Sequence, residues 1–133
     1  MPGNASSVHN GNSLRDAVAR TGTSLGLECS TEVYVGRRIW GAQRKVDVVL
    51  TEPATRRRLG VECKFQGTGG SAEEKIPATI EDIRSWPIDG LVVFAGAGFS
   101  SNMRAFLLST GKAVDFEDLE VWLRFYFGLA LRS

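Results

Sequence analysis

The chain has 133 residues, of which 43% are apolar, and this size and composition fit one compact domain with its own core. The formal net charge is only +1, so the overall charge says little about partners, although basic residues cluster locally. No apolar run reaches bilayer length and no secretory leader begins the chain, so we expect a cytoplasmic protein that does not enter a membrane.

The N-terminal region is predicted to be a tail followed by a helix. Residues 1–12 are rich in Gly, Asn and Ser and form a predicted flexible tail, and residues 13–133 form a predicted single domain. Ser13 is the predicted N-cap of the first helix, because Leu14 and Val18 begin a helical repeat of apolar residues directly after it.

Three strands are predicted next, over residues 32–35, 45–51 and 59–65. The second and third are separated by a turn that contains Pro53. We therefore expect these two strands to pair as an antiparallel hairpin with a loop of several residues.

The second helix follows a glycine-rich break. Ser71 and Glu74 have the spacing of a capping box, and Ile76 begins a stripe of isoleucines with helical spacing. Pro77 removes a backbone donor, so the sequence predicts either a kinked helix or a later start of the helix.

The C-terminal part contains a buried strand and two helices. Residues 91–95 form a continuous apolar run, which is typical of a parallel strand buried on both faces, and the preceding helix supplies the crossover. A short helix is predicted over residues 102–109 and an edge strand over 113–116. A last helix, rich in aromatic residues, begins near Asp115 or Phe116.

Polar side chains interrupt the apolar pattern of the second and third strands. Glu62, Lys64 and Gln66 share one strand face, and hairpin pairing brings Asp47 close to Glu62. Burying such charges is unfavourable unless they pair or hold a cation. Asp47, Glu62 and the backbone carbonyl of Cys63 are therefore predicted ligands of Mg²⁺, and Lys64 is predicted to orient or activate a water.

The arrangement of Asp47, a short hairpin and Glu62-Cys63-Lys64 resembles the PD-(D/E)XK nuclease superfamily, although Val46 replaces the usual proline. The resemblance extends from the first helix to the strand at 91–95. It implies a restriction-endonuclease-like α/β fold, in which helices flank a central mixed sheet of four to five strands. The implied function is a DNA endonuclease that depends on Mg²⁺ or Mn²⁺.

The resemblance also implies roles for single residues. Asp47 and Glu62 correspond to metal ligands, Lys64 to the catalytic lysine and Gln66 to an accessory active-site residue. Members often add an acid from the first helix. Here Asp16 is the matching candidate, and Glu28 is the alternative.

Basic residues near these strands predict a non-specific contact with DNA through backbone phosphates, without a recognition helix. Each of them taken singly also fits a solvated surface. The aromatic residues of the last helix indicate a homodimer, with one active site for each strand of a duplex. The candidate DNA-binding residues are Arg37, Arg38, Arg44, Lys45, Arg56, Arg57, Arg58, Lys75 and Arg84.

Other interpretations stay open from the sequence. Glu62 and Lys64 also fit the solvated face of an edge strand, with Asp47 as an ion-pair partner. Within the nuclease interpretation, the chain is either a general endonuclease or a structure-selective nuclease that resolves Holliday-type junctions. A nucleic-acid-binding subunit that does not cut is a further alternative. No nucleotide cofactor is expected, because the glycines at 67–70 lack the P-loop lysine.

Overall fold

The computed structural model describes residues 8–37, 43–67 and 76–130, with Arg37, Gln43 and Arg44 described by their backbone alone. A single 3₁₀ turn, Phe116–Asp118, lies between the last strand and the last helix. The helices and strands in chain order are α1 (Gly11–Ser24), β1 (Glu28–Arg37), β2 (Gln43–Thr51), β3 (Arg58–Phe65), α2 (Ile76–Arg84), β4 (Asp89–Ala95), α3 (Ser101–Ser109), β5 (Ala113–Asp115) and α4 (Leu119–Phe127).

The strands form one five-stranded sheet in the order β1-β2-β3-β4-β5. β1, β2 and β3 pair antiparallel, whereas β3, β4 and β5 pair parallel. The helix α2 connects β3 to β4, as a crossover between parallel neighbours requires. This mixed sheet with flanking helices confirms the predicted architecture, including the β2–β3 hairpin, the parallel β4 and the edge strand β5.

Apolar side chains cover both faces of the sheet. On one face, α1 and α4 pack against the alternating residues of β3, Leu59, Val61 and Cys63. On the other face, α2 and α3 pack against a second cluster that includes Val92 and Phe94 of β4. β4 contributes to both clusters, which confirms the prediction of a strand buried on two sides.

The first helix begins earlier than predicted. Its N-cap is Asn10, not Ser13: the Ser13 N–H donates to Asn10 Oδ1 (2.7 Å), and the Asn10 N–H donates to Ser13 Oγ (3.0 Å). Asn caps a helix as well as Ser does, and Ser13 here supplies the reciprocal bond of a capping box. Val8 also packs in the core. Residues 8–12 therefore do not belong to the predicted tail, and residues 1–7 lie outside the described residues.

The described part of the second helix is Ile76–Arg84, and Pro77 is its second residue. A proline in a first turn loses no hydrogen bond, because the backbone N–H groups there have no partner within the helix. The residues directly before Ile76 lie outside the described ranges, so the choice between a kinked helix and a later start stays a prediction. The predicted capping residues Ser71 and Glu74 lie outside the described residues.

A tryptophan after α2 packs on a pair of glycines. Gly60 of β3 pairs with Gly90 of β4, and the Trp86 ring covers both. A Cβ atom at Gly60 would lie 2.7 Å from the Trp86 ring, and one at Gly90 would lie 2.5 Å from an Ile83 methyl. This contact positions α2 against the strand that carries Glu62. Within the described ranges, no helix is long and apolar enough to span a bilayer.

Candidate active site

The backbone pairing of β2 and β3 ends at Val48 and Val61, one residue short of the two predicted acids. Beyond this point the acidic side chains bridge the strands. The Cys63 N–H donates to Asp47 Oδ2 (2.8 Å), and the Asp47 N–H donates to Glu62 Oε1 (3.2 Å). The structure thus brings Asp47 and Glu62 together where β2 and β3 separate, as the hairpin predicts.

In both β1 and β2, the alternation of side chains between the two faces of the sheet reverses at the level of Asp47. In β2, Val48 packs against the α1 side of the sheet, whereas Val46 packs against the α2 side. Residues two apart in a regular strand share a face, so the strand reverses between them. In β1, Cys29 and Val33 lie on opposite sides in the same way. Asp47 lies at this turning point, which explains how its carboxylate reaches the backbone of β3.

Glu32 marks the same level on β1. It lies between two residues that pair with Val46 and Val48, opposite Asp47. Its φ of +58° is in the left-handed region, which is uncommon for a residue with a Cβ atom. Glu32 was not singled out from the sequence, because nothing in the alternation of β1 distinguishes it from an ordinary exposed strand residue.

The electrostatic environment of Glu62 disfavours its charged form. The pKa of its carboxyl is raised from 4.5 to about 7, first by burial and then by the neighbouring Asp47 charge. The Lys64 ammonium and the hydrogen bond from the Asp47 N–H oppose it, while Asp82 of α2 raises the pKa further. Two acids held this close in a partly buried place attract a cation.

Lys64 projects on the same face of β3 as Glu62. It is partly buried, and its ammonium has no hydrogen-bond or ion-pair partner among the described residues. Its charge lowers the pKa of Glu62, so the two groups are close although they form no ion pair. A positive group that has no partner in the described part of the chain is available to a phosphate or a water.

Gln66 is 5% exposed and binds the turn after β4. Its side-chain Nε2 donates to the Gly98 carbonyl (2.8 Å), and the backbone carbonyl of Gln66 accepts from the Gly98 N–H (2.8 Å). A Cβ atom at Gly98 would lie 2.1 Å from the Gly67 carbonyl oxygen, so only glycine fits there. These contacts hold the loop between β4 and α3, and an accessory catalytic role for Gln66 stays a prediction.

The candidate acids outside the hairpin lie in different places. Asp16 is exposed and pairs with Arg15 (3.3 Å), and its contribution to a metal site stays a prediction. Glu28 pairs with Thr51 at the other end of β2, four residues and about 13 Å from Asp47, which excludes it from a site there. No group of three or more Asp, Glu, His or Cys side chains that could hold a metal occurs in the described ranges.

The basic candidates also separate. Arg56, Arg57 and Arg58 flank the acid-bearing strands, as predicted, but they lie at the hairpin turn, at the opposite end of β2 and β3 from Asp47 and Glu62. Arg57 instead donates to the Tyr126 carbonyl (2.8 Å) and covers the Tyr126 ring (4.5 Å). These arginines are near Asp47 along the sequence, but the length of β2 separates them from it in the structure.

Lys45 lies two residues from Asp47 and pairs with Glu32 (2.5 Å). Arg84 at the end of α2 pairs with Glu81 (2.8 Å). The DNA-binding roles predicted for the remaining basic residues stay predictions. Arg38 and Lys75 lie outside the described residues, and of Arg37 and Arg44 only the backbone is described.

Comparisons with known proteins place this site in context. A family model described as a PD-(D/E)XK nuclease superfamily domain matches residues 6–121. The solved structure of a protein of unknown function, AF1548, is 20% identical with a TM-score of 0.53, and the match covers 77% of this chain and 56% of that one. A cryo-EM structure of a DrdV–DNA complex is 17% identical with a TM-score of 0.42, over 77% of this chain and 12% of that one.

At 20% identity, the likeness to AF1548 supports the fold alone. The chain spans about half the length of that protein and a small part of the DrdV chain. The comparison with curated proteins finds no match.

Proposed function

Because this chain belongs to the PD-(D/E)XK nuclease superfamily, we propose that it is a metal-dependent endonuclease that hydrolyses DNA phosphodiesters. Asp47 and Glu62 are the proposed metal ligands, and Lys64 is the proposed catalytic lysine. The observation that carries the proposal is the meeting of the two carboxylates where β2 and β3 separate, with Lys64 on the same face of β3 as Glu62.

The donor set fits a hard divalent cation such as Mg²⁺ or Mn²⁺. Two carboxylates are close together, and burial and charge repulsion raise the pKa of Glu62 to about 7, so a cation would relieve both effects. In a strand, the N–H and C=O of one residue point to the same side. The Cys63 N–H points to Asp47, which supports its carbonyl as a further ligand. When bound, the ion neutralises phosphate charge and lowers the pKa of water.

Lys64 supplies the positive charge and the hydrogen-bond donors that the proposed reaction needs in addition to the metal ion. Its ammonium donates hydrogen bonds to an attacking water or to a phosphate oxygen, and it offsets negative charge that develops on the phosphate. Because no described carboxylate forms an ion pair with it, Lys64 does not have to break a contact before it acts.

The test is a cleavage assay with matched variants. Supercoiled, linear, single-stranded and four-way-junction DNA, and an RNA of the same sequence, are incubated with Mg²⁺ or Mn²⁺ and with chelator. We expect Lys64→Ala and Glu62→Ala to lose cleavage by a factor of about 100 or more, the magnitude typical of lost transition-state contacts. Lys112→Ala and Glu81→Gln, which change charges away from the site, are the controls and are expected to cleave normally.

The outcomes separate the alternatives. Preference for the junction over linear DNA would identify a structure-selective nuclease. Binding of DNA without cleavage under any metal condition would support the non-catalytic subunit. Cleavage that survives both Lys64→Ala and Glu62→Ala would show that another site or a contaminant is responsible, and the proposal would be lost.

We further propose that the chain acts as a homodimer through α4. The outer face of this helix exposes Val121 and Phe125 to 56% and 73% beside the edge strand β5. A second copy that covers this face would give a complex with two active sites, one available for each strand of a duplex.

A further inference from the structure

The carboxylate of Glu32 is held by two basic side chains from different elements. Its Oε1 lies 2.9 Å from Arg15 Nη1 of α1, and its Oε2 lies 2.5 Å from Lys45 Nζ of β2. In the described part of the chain, no other carboxylate is shared by two basic residues in this way. One anionic group with two terminal oxygens thus bridges an arginine and a lysine.

This cluster borders the proposed active site. Glu32 lies opposite Asp47 on the neighbouring strand. The pKa of Lys45 is raised, first by its hydrogen bond to Glu32 and in smaller part by the charge of Asp47. Burial raises the pKa of the Cys63 thiol, and Arg15 is among the charges that oppose this. Lys45 is therefore close to Asp47, and Arg15 of α1 is close to Cys63, the residue that follows Glu62.

The backbone holds the Glu32 carboxylate in place at a conformational cost. The φ of +58° at Glu32 is unfavourable for a residue with a Cβ atom, and such conformations persist where the surrounding contacts determine them. The Glu32 side chain is 40% exposed, and the side chains of Arg15 and Lys45 are 25% and 50% exposed. The bridge is therefore open to solvent, and an incoming anion can reach it.

We infer that Arg15 and Lys45 form a binding site for a backbone phosphate of the nucleic-acid substrate, and that Glu32 occupies this site in the free protein. A phosphodiester has two non-bridging oxygens that match the two carboxylate oxygens, and arginine binds both kinds of group. Arg15 contacts Glu32 through Nη1, while its Nε and Nη2 donate to Asp16 (3.3 Å) and so hold the guanidinium in place. A bound strand displaces the Glu32 carboxylate to solvent. This inference rests on the proposed function, since it assigns the phosphate to the substrate strand.

The test measures the binding of a 20-base-pair DNA duplex in chelator, where no cleavage occurs, for the full chain and for Glu32→Gln. We expect Glu32→Gln to bind about five to ten times more tightly at ~0.1 M salt, with a salt dependence steeper by about one charge. In the Glu32→Gln background, adding Arg15→Gln and Lys45→Gln is expected to abolish the gain.

The matched control is Glu28→Gln. Glu28 also pairs with an arginine, Arg56 (3.3 Å), but at the opposite end of β2. Glu28→Gln removes the same charge as Glu32→Gln. We expect it to change the DNA affinity by less than about twofold, the size of a general charge effect. Equal gains from Glu28→Gln and Glu32→Gln would overturn the inference, because only net charge would then matter.

A second readout separates this inference from the proposed nuclease function. Titration of Glu32→Gln with inorganic phosphate, followed by the NMR amide signals of β1 and β2, is expected to shift residues beside Lys45. Phosphate binding without DNA binding would support the anion site and contradict the nuclease proposal. Normal cleavage with unchanged DNA affinity in Glu32→Gln would overturn the inference alone. Loss of Mn²⁺ affinity in this variant would make Glu32 a ligand and also overturn it.

Discussion

At the scale of single residues, the proposed metal ligands Asp47 and Glu62 also have a structural role. Each carboxylate accepts a backbone N–H from the neighbouring strand and so replaces a missing bond of the sheet. A charged acceptor makes a stronger hydrogen bond than a carbonyl does, which helps to retain these two acids in a partly buried place. Their mutual repulsion remains, and it supports the proposal that the site binds a cation.

The raised pKa of Glu62 predicts that ionisation of this residue destabilises the metal-free folded protein, with a free-energy cost that depends on pH. The pKa is about 7 in the folded state against an ordinary value of 4.5, so the folded state binds the proton more tightly than the unfolded state does. The cost is absent below pH 4.5, grows as the pH rises to about 7 and then stays constant. We expect Glu62→Gln to raise the free energy of unfolding at pH 8 by about 1–3 kcal/mol, and not at pH 4.5.

Urea denaturation in chelator at several pH values between 4.5 and 8 measures this effect. Glu81→Gln on the surface of α2 is the control and is expected to show no such trend. A Glu62→Gln variant whose stability follows that of the native chain at every pH would contradict the assigned cause. Adding Mn²⁺ is expected to stabilise the native chain more than the variant.

At the scale of elements, the position of the site depends on how α2 lies on the sheet. Trp86 follows α2 and rests on the paired Gly60 and Gly90, where a larger residue has no room. α2 also carries Asp82, whose charge acts on Glu62. The two glycines therefore determine how closely the helix approaches β3, the strand that carries the catalytic candidates.

Substitution of Gly90 tests this packing. A Cβ atom there would lie 2.5 Å from Ile83 and 2.8 Å from Trp86, so the helix or the ring must move. We expect Gly90→Ala to lower the free energy of unfolding by about 1–3 kcal/mol, as overpacked cores do. Gly11→Ala is the control, because nothing lies within 4 Å of its Cβ position, and it is expected to be neutral or slightly stabilising. Equal stability of both variants would refute the close approach.

At the scale of the whole molecule, α4 is held to the sheet on one face and exposed on the other. Its inner residues lie in the core, and the Tyr126 hydroxyl donates to Asp89 at the start of β4. Burial, followed by this hydrogen bond, raises the pKa of Tyr126 to about 12. The outer face forms a shallow apolar groove next to β5, lined by Val114, Asp118, Val121, Trp122, Phe125 and Tyr126. A rigid apolar surface of this kind is suited to contact with another protein surface.

The homodimer proposed above predicts a concentration-dependent mass. We expect light scattering after gel filtration to report twice the chain mass, and Phe125→Ser to shift the protein to monomer, because Phe125 is 73% exposed at the centre of this face. Phe106→Ser on α3 removes another exposed aromatic residue and is the control that should stay dimeric. A native chain that is monomeric at all concentrations would remove the dimer and leave the cleavage proposal intact.

Much of this architecture was predictable because it is encoded by local patterns. Alternation identified β2 and β3, a continuous apolar run identified β4, and helical spacing identified the isoleucine stripe of α2. The predicted meeting of Asp47 with Glu62 follows from a hairpin, in which a short connection leaves little freedom. Helix ends were less predictable, since Asn10 and Ser13 are both good caps and local pattern alone does not choose between them.

The sequence by itself determined the strands, the acids and the lysine, because side-chain chemistry and apolar period are properties of neighbouring residues. Only the tertiary structure decided which groups share the site. It placed Arg56 and Arg57 at the far end of the hairpin, set Glu32 against Arg15 and Lys45, and turned β1 and β2 over beside Asp47. Those outcomes depend on contacts between segments that are distant along the chain, and the energies of such contacts leave no local pattern in the sequence.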